Sequence, residues 1–172
     1  MHENKNQSLS IIVRASGEAT LRLLVKQIEL QLSSEDAFKV INNDQCFEVK
    51  MAQGFKEAIQ LNKPITVFID ADILIRKNLL KKIKKLSLGL NENDLGFGIR
   101  LWDRFYDQPK FRGLHIYQTK HLKKAYENIP DEGRESRPES AMKSKLKLSG
   151  FNWRNGFSKY LGGVHDYGQY PR

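Results

Sequence analysis

Residues 65–75 read ITVFIDADILI. The run Ile65–Ile69 is apolar, rich in β-branched and aromatic residues, and bounded by Pro64, which is the signature of a buried strand. Asp70 and Asp72 then place two carboxylates one residue apart where that strand reaches the surface. Side chains at i and i+2 of an extended segment point the same way, so both acids face one side. Close like charges resist joint ionisation unless positive charge is supplied. A divalent cation supplies it, and oxygen ligands at a strand end suit Mg²⁺ or Mn²⁺, which in turn hold phosphate oxygens. The plainer alternative is a turn whose carboxylates are solvated or cap a helix starting near residue 77.

Working outward, strand and helix signals alternate. LSIIV (9–13) precedes Gly17 and a helical spacing of Leu21, Leu24, Val25, Ile28 and Leu32. AFKVI (37–41) reads as a second strand closed by Asn42, Asn43 and Asp44, and a less regular helical stretch covers about 48–61. After the acidic pair, Leu79, Leu80, Ile83 and Leu86 form one helix face with lysines opposite. LGFGI (95–99) and LHIYQ (114–118) are further strands, and Thr119 is placed to cap a helix holding Leu122, Ala125, Tyr126 and Ile129. This order predicts a single α/β domain over 1–172, with a mostly parallel sheet flanked by helices. Residues 1–120 form the ligand-binding core and 121–172 the remaining helices and tail. Ligands of such sheets bind beyond the carboxyl ends of the strands. Ala15, Ser16, Asn42, Asn43, Asp70 and Asp72 all stand there.

IPDEGRESRPES (129–140) reads as a mobile loop, and Ser136 with Glu139 has the spacing of a capping box for a helix over about 137–148, with Met142, Lys145 and Leu146 on one side. The glycine- and aromatic-rich segment 149–172 reads as a surface-wrapping tail without regular structure. It stops at Arg172 with no polar fade-out, as a piece cut from a longer protein would.

The chain carries a formal net charge of +9 and one cysteine, Cys46, so it has no internal disulfide and no cysteine zinc cluster. Its polar start, MHENKNQSLS, is no signal peptide, and no apolar run approaches the roughly 20 residues that cross a membrane. A cytoplasmic address follows. RKNLLKKIKK (76–85) holds six cations and no anion. That surface suits phosphorylated ligands, anionic lipid or nucleic acid, or is simply a solvated helix face.

The order strand, helix, strand, helix, then VFIDADILI with a helix following, resembles the nucleotide-diphospho-sugar transferase (GT-A) fold of family 2-like glycosyltransferases. SIIVRASGEATLRLLVKQI resembles the opening strand, turn and helix of that fold. VFIDADILI resembles its Asp-x-Asp motif. The resemblance implies a hexosyltransferase-type enzyme that takes a sugar from a nucleotide-diphosphate donor, UDP-sugar favoured, to a hydroxyl acceptor, glycan or lipid-linked, as in cell-surface polysaccharide synthesis. It implies Mn²⁺ or Mg²⁺ held by Asp72 and Asp70, with Asp70 nearer the ribose. Arg14, Ala15, Ser16, Asn42 and Asn43 would lie near the nucleotide. His165, in LGGVHDYGQY, matches the histidine ligand that many members add near the C-terminus; Gly162 and Gly163 would let the backbone approach closely, and Asp166 would orient the ring or bind directly. With a lipid-linked acceptor, the lysine helix would rest on an anionic membrane.

The sequence departs from the family where the acceptor is deprotonated: the paired acids of inverting members are missing between 125 and 145. Asp103 and Glu139 are the carboxylates left for that role. Asp103 lies among Trp102, Phe105 and Tyr106, whose faces suit a sugar ring; alternatively it pairs with Arg100 or Arg104 over a hydrophobic patch. Arg14, Lys50, Arg100 and Arg112 are the cations available to a diphosphate. Three other readings compete: a basic nucleic-acid-binding protein, which no RNA- or DNA-binding signature supports; an inactive transferase fold; and a phosphatase of the haloacid-dehalogenase type, whose motif ITVFIDADIL resembles with Leu74 at its Thr/Val position.

Overall fold

The structure is a computed structural model that describes residues 7–157 and 159–167; Met1–Asn6, Ser158 and the end of the tail, 168–172, lie outside it. The expected strands form close to their predicted bounds: β1 (Leu9–Ala15), β2 (Ala37–Asn42), β3 (Ile65–Asp70), β5 (Asp94–Gly98) and β8 (Leu114–Gln118). With β9 (Asn152–Arg154) they make a six-stranded sheet in the order β2-β1-β3-β8-β5-β9. Strand β8 is antiparallel to both neighbours, and the other five run the same way. This is the mostly parallel α/β sheet expected.

Strand alternation sorts side chains to two faces. Ile11, Val13, Val67 and Ile69 pack against Leu24 and Ile28 of α1 (Leu21–Glu29) and Leu79, Leu80 and Ile83 of α3 (Leu79–Ser87). Ile12, Phe68 and Tyr117 face Met51 and Phe55 of α2 (Phe47–Leu61), Leu122 of α4 (Leu122–Tyr126), and Met142 and Leu146 of α5 (Pro138–Leu148). None of the described helices is long and apolar enough to cross a membrane.

Three local expectations are corrected. Segment 149–167 is not an irregular wrap: it supplies β9 to the main sheet and β10 (Leu161–His165) to a second one. That second sheet, ordered β4-β10-β6-β7, joins β10 to β4 (Leu74–Ile75), β6 (Arg100–Asp103) and β7 (Gln108–Lys110). There is no capping box at 136–139, because α5 starts at Pro138, with Arg137 as its N-cap and no side-chain cap; Glu139 turns inward, and Lys145 is exposed while Met142 and Leu146 are buried. Thr119 caps nothing, because its hydroxyl bonds that of Thr66 at 2.8 Å.

Candidate active site

Strands β1 and β3 are parallel neighbours with Arg14 and Asp70 in register. Arg14 Nε and Nη2 both lie 2.8 Å from Asp70 Oδ1, and the guanidinium is 3% exposed. The guanidinium carbon sits over the ring of Phe47, 4.7 Å from its centroid. Beyond Asp70 the chain turns, and the Ala71 N–H donates to Arg14 O at 2.9 Å. Gly113, at φ +59, tucks under this turn: a β-carbon there would lie 2.9 Å from Asp70 Oδ2 and 2.8 Å from Ile73 Cδ1. Asp70 was expected as a metal ligand; the structure gives one of its oxygens to Arg14. Burial raises its carboxyl above the ordinary range, and Arg14 pulls it back.

The ends of β1 and β2 also meet. The Gly17 N–H donates to Asn42 Oδ1 at 3.1 Å, the Asn43 N–H to Ala15 O at 3.3 Å, and the Lys50 ammonium bonds the Ser16 hydroxyl. Of the residues expected near a nucleotide, Arg14, Ala15, Ser16, Asn42, Asn43 and Asp70 thus occupy one rim.

Asp72 and His165, 93 positions apart in sequence, come together because β10 threads between β4 and β6. Gly163 faces Ile75, and Val164 faces Leu74, in an antiparallel pair. A β-carbon on Gly163 would sit 2.1 Å from Leu74 O, so only glycine admits the strand. One residue on, His165 places Nε2 3.4 Å from Asp72 Oδ2. Its Nδ1 lies 2.9 Å from Asp166 Oδ2 and 3.5 Å from Asp103 Oδ2. Ligand-type atoms of Asp72, His165 and Asp166 all lie within 4.8 Å of one another, the one such group among the described residues. Burial, with Asp70 and Asp166 nearby, pushes the Asp72 carboxyl up to about 6 against the pull of His165. Two acids and an imidazole that resist sharing one pocket are a donor set suited to Mn²⁺ or Mg²⁺.

The two carboxylates expected to deprotonate an acceptor are buried behind this group. Asp103 is 0% exposed and ends β6 behind His165, paired with neither Arg100 nor Arg104; Arg112 Nε lies 3.6 Å from it. A carboxylate without solvent access is no general base for an incoming hydroxyl, so that expectation is withdrawn. Glu139 is buried among Tyr117, whose hydroxyl donates to Oε1 at 2.5 Å, Lys143 (3.2 Å), His115 (3.5 Å) and Arg14 (3.5 Å). Burial alone would push its carboxyl up, but His115, Lys143, Arg14 and the Tyr117 hydroxyl hold it well below the usual range. Burial in turn lowers His115 to about 3 and Lys143 to about 8. Sequence reasoning missed this cluster, since its members come from β1, β8 and α5 and share no spacing. Trp102, Phe105 and Tyr106 are exposed on and beside β6 as expected, with Arg112 stacked 4.8 Å from the Tyr106 centroid.

No protein-family model and no curated protein sequence matches this chain. Solved structures do share its fold. A variant of Drosophila β1,4-galactosyltransferase 7, solved with manganese, UDP-Gal and xylobiose, superposes with a TM-score of 0.61 at 14% identity, over 93% of this chain and 71% of that one. A glycosyltransferase involved in the glycosylation of the major capsid of PBCV-1 gives 0.59 at 13% identity, over 94% and 93%. The 4-diphosphocytidyl-2C-methyl-D-erythritol synthase of Anaerococcus prevotii gives 0.63 at 8% identity, over 91% and 88%. At such identities the likeness is one of fold: a GT-A-type α/β architecture shared by glycosyltransferases and nucleotidyltransferases.

Proposed function

We propose that the chain is a divalent-metal-dependent glycosyltransferase that moves a hexose from a nucleotide-diphosphate donor, UDP-sugar favoured, to a hydroxyl on a glycan or lipid-linked acceptor. One observation carries the reading: Asp72, His165 and Asp166 converge beside the Arg14–Asp70 pair, at the carboxyl end of β1 and β3, on this fold. The manganese and UDP-Gal of the Drosophila structure support it by analogy. Asp72, His165 and Asp166 would hold Mn²⁺ or Mg²⁺, which when bound neutralises the leaving diphosphate. Asp70, kept in place by Arg14, faces the donor from the adjacent strand end. Ser16, Asn42 and Asn43 offer hydroxyl and amide groups to the nucleoside, and Lys50 brings a cation to the same rim. Trp102, Phe105 and Tyr106 form an exposed ledge on which an acceptor ring can stack. Glu139 serves as counter-ion to Arg14 rather than as base.

The phosphatase reading casts Asp70 as a nucleophile, and one of its two oxygens is held by Arg14. Nothing in the geometry favours nucleic acid over a nucleotide.

Calorimetric titration of UDP, GDP and CMP, each with and without Mn²⁺, tests the proposal on wild type and Asp72→Ala. Metal-dependent binding of one nucleotide, lost in the variant, is the expected result; no binding of any by folded wild-type protein overturns it. Donor hydrolysis then separates an enzyme from an inactive transferase fold.

A further inference from the structure

Asp103, removed from the role of base, is left buried beside a proposed metal ligand. The geometry points to a different role: Asp103 is the positioning residue of His165, and the same carboxylate builds the turn that carries Phe105 and Tyr106. Its consequence for metal binding rests on the function proposed above; its geometry does not.

The two oxygens of Asp103 divide the work. Oδ1 accepts the backbone N–H of Phe105 at 3.1 Å and of Tyr106 at 3.0 Å, which fastens the turn between β6 and β7. Oδ2 is buried without a hydrogen bond of ordinary length, and its neighbours are His165 Nδ1 at 3.5 Å and Arg112 Nε at 3.6 Å. Leaving a buried acceptor unfilled is unfavourable, so a hydrogen on Nδ1 is favoured there. Strands β6 and β10 run parallel with Asp103 and His165 as partners, and the Arg104 N–H reaches His165 O at 3.4 Å. Carboxylate and imidazole are therefore held together by strand register rather than by a flexible loop.

Asp166 also faces Nδ1, at 2.9 Å. Asp166 Oδ2 is the acceptor at hydrogen-bond length and Asp103 Oδ2 a second one behind it, against the single Asp72 Oδ2 3.4 Å from Nε2, so the hydrogen is placed on Nδ1 and the lone pair on Nε2. A histidine ligand needs that arrangement: one nitrogen free for the cation, the other donating to a carboxylate behind it. The two acids differ in kind. Asp166 sits at the strand end with φ +59 and belongs to the cluster of ligand atoms, whereas Asp103 touches the ring only at Nδ1, the nitrogen away from Asp72.

The test uses metal-free protein labelled with ¹⁵N, at alkaline pH where the imidazole is neutral, and reads the His165 tautomer from long-range ring ¹H–¹⁵N spectra. Wild type is expected as the Nδ1–H form. Asp103→Asn keeps an oxygen for the turn but sets an amide N–H₂ against Nδ1, so Nε2–H becomes populated. Mn²⁺ affinity, read from free Mn²⁺ by electron paramagnetic resonance, falls by about 10- to 100-fold. In Asp166→Asn, which tolerates the positive φ, the Nδ1–H form persists because Asp103 remains. An Nε2–H wild type, a tautomer lost in Asp166→Asn, or an Asp103→Asn protein with wild-type tautomer and Mn²⁺ affinity each overturns the proposal. If wild type binds no Mn²⁺ at all, the metal reading fails instead, and the ring tautomer still decides the role of Asp103.

Discussion

Replacing Gly163 by alanine should unseat His165 without touching any polar side chain of the site. The new β-carbon would lie 2.1 Å from Leu74 O and 3.0 Å from Ile75 Cα. Both are backbone atoms, so no rotamer change relieves the clash, and β10 must retreat from β4 by about 1 Å. The contact between the two strands is only two residue pairs long, and the Arg76 N–H donates to Gly162 O at 2.8 Å beside it. Losing two or three backbone hydrogen bonds at about 1 kcal/mol each, with overpacking of about 1–3 kcal/mol, outweighs the smaller entropy gain of Gly→Ala. The net expectation is a loss of about 2–4 kcal/mol of stability in urea unfolding, with weakened Mn²⁺ binding in protein that remains folded. Gly162→Ala is the control: its β-carbon meets side-chain atoms, Ile99 Cγ2 at 2.8 Å and Leu114 Cδ2 at 3.1 Å, which can give way. It should cost about 1–2 kcal/mol and leave the metal site in place. Equal stability losses in the two variants, or a Gly163→Ala protein with wild-type Mn²⁺ affinity, would refute the threading argument.

Arg14→Met leaves Asp70 and Glu139 buried without their shared cation and should cost on the order of 3–5 kcal/mol; adding Glu139→Gln should recover part of it, and strictly additive losses in the cycle would show that the two do not communicate. The Lys143 ammonium titrates at about 8 in the folded protein against an ordinary 10.5, so between those values the unfolded chain binds more protons. The stability penalty is therefore full below pH 8 and relieved as pH rises toward 10.5, with a slope of up to ~1.4 kcal/mol per pH unit that Lys143→Met removes. A wild-type pH profile that parallels the variant across this range contradicts the burial of that charge. If a lipid-linked acceptor brings α3 to a membrane, reversing the exposed Lys81 and Lys85 to glutamate should weaken sedimentation with anionic vesicles; Lys84 is spared because it pairs with Asp36 at 2.8 Å. Unchanged sedimentation would discard the membrane contact.

Much of the frame was legible because its signals are local. Apolar runs such as Ile65–Ile69 and Leu114–Gln118 are buried strands wherever they sit in a sheet, and the 3.6-residue spacing around Leu79 and Ile83 is a helix in any context. The second sheet was not legible for the same reason. Its strands β4, β6 and β7, like β9 of the main sheet, are only two to four residues long, too short to show a period. Strand β10 is glycine-rich, and its pairing comes from distant partners. Glu139 shows how a local rule misleads: S-x-x-E spacing predicts a cap, but Pro138 starts the helix, and Tyr117, Lys143, His115 and Arg14 draw the carboxylate inward.

By itself, the sequence determined the α/β order, the placement of Asp70 and Asp72 at a strand end, and the presence of a histidine flanked by glycines that permit close approach. These follow from periodicity and steric size, which act over a few residues. Only the tertiary structure decided which acid does what. Register between β1 and β3 gives Asp70 to Arg14, while the threading of β10 beside β4 and β6 brings His165 to Asp72 and puts Asp103 behind it. A carboxylate's role depends on the charges and donors within a few ångströms of it, and for Asp70, Asp103 and Asp72 the partners named above lie 56, 62 and 93 positions away, distances over which the chain's local preferences carry no information.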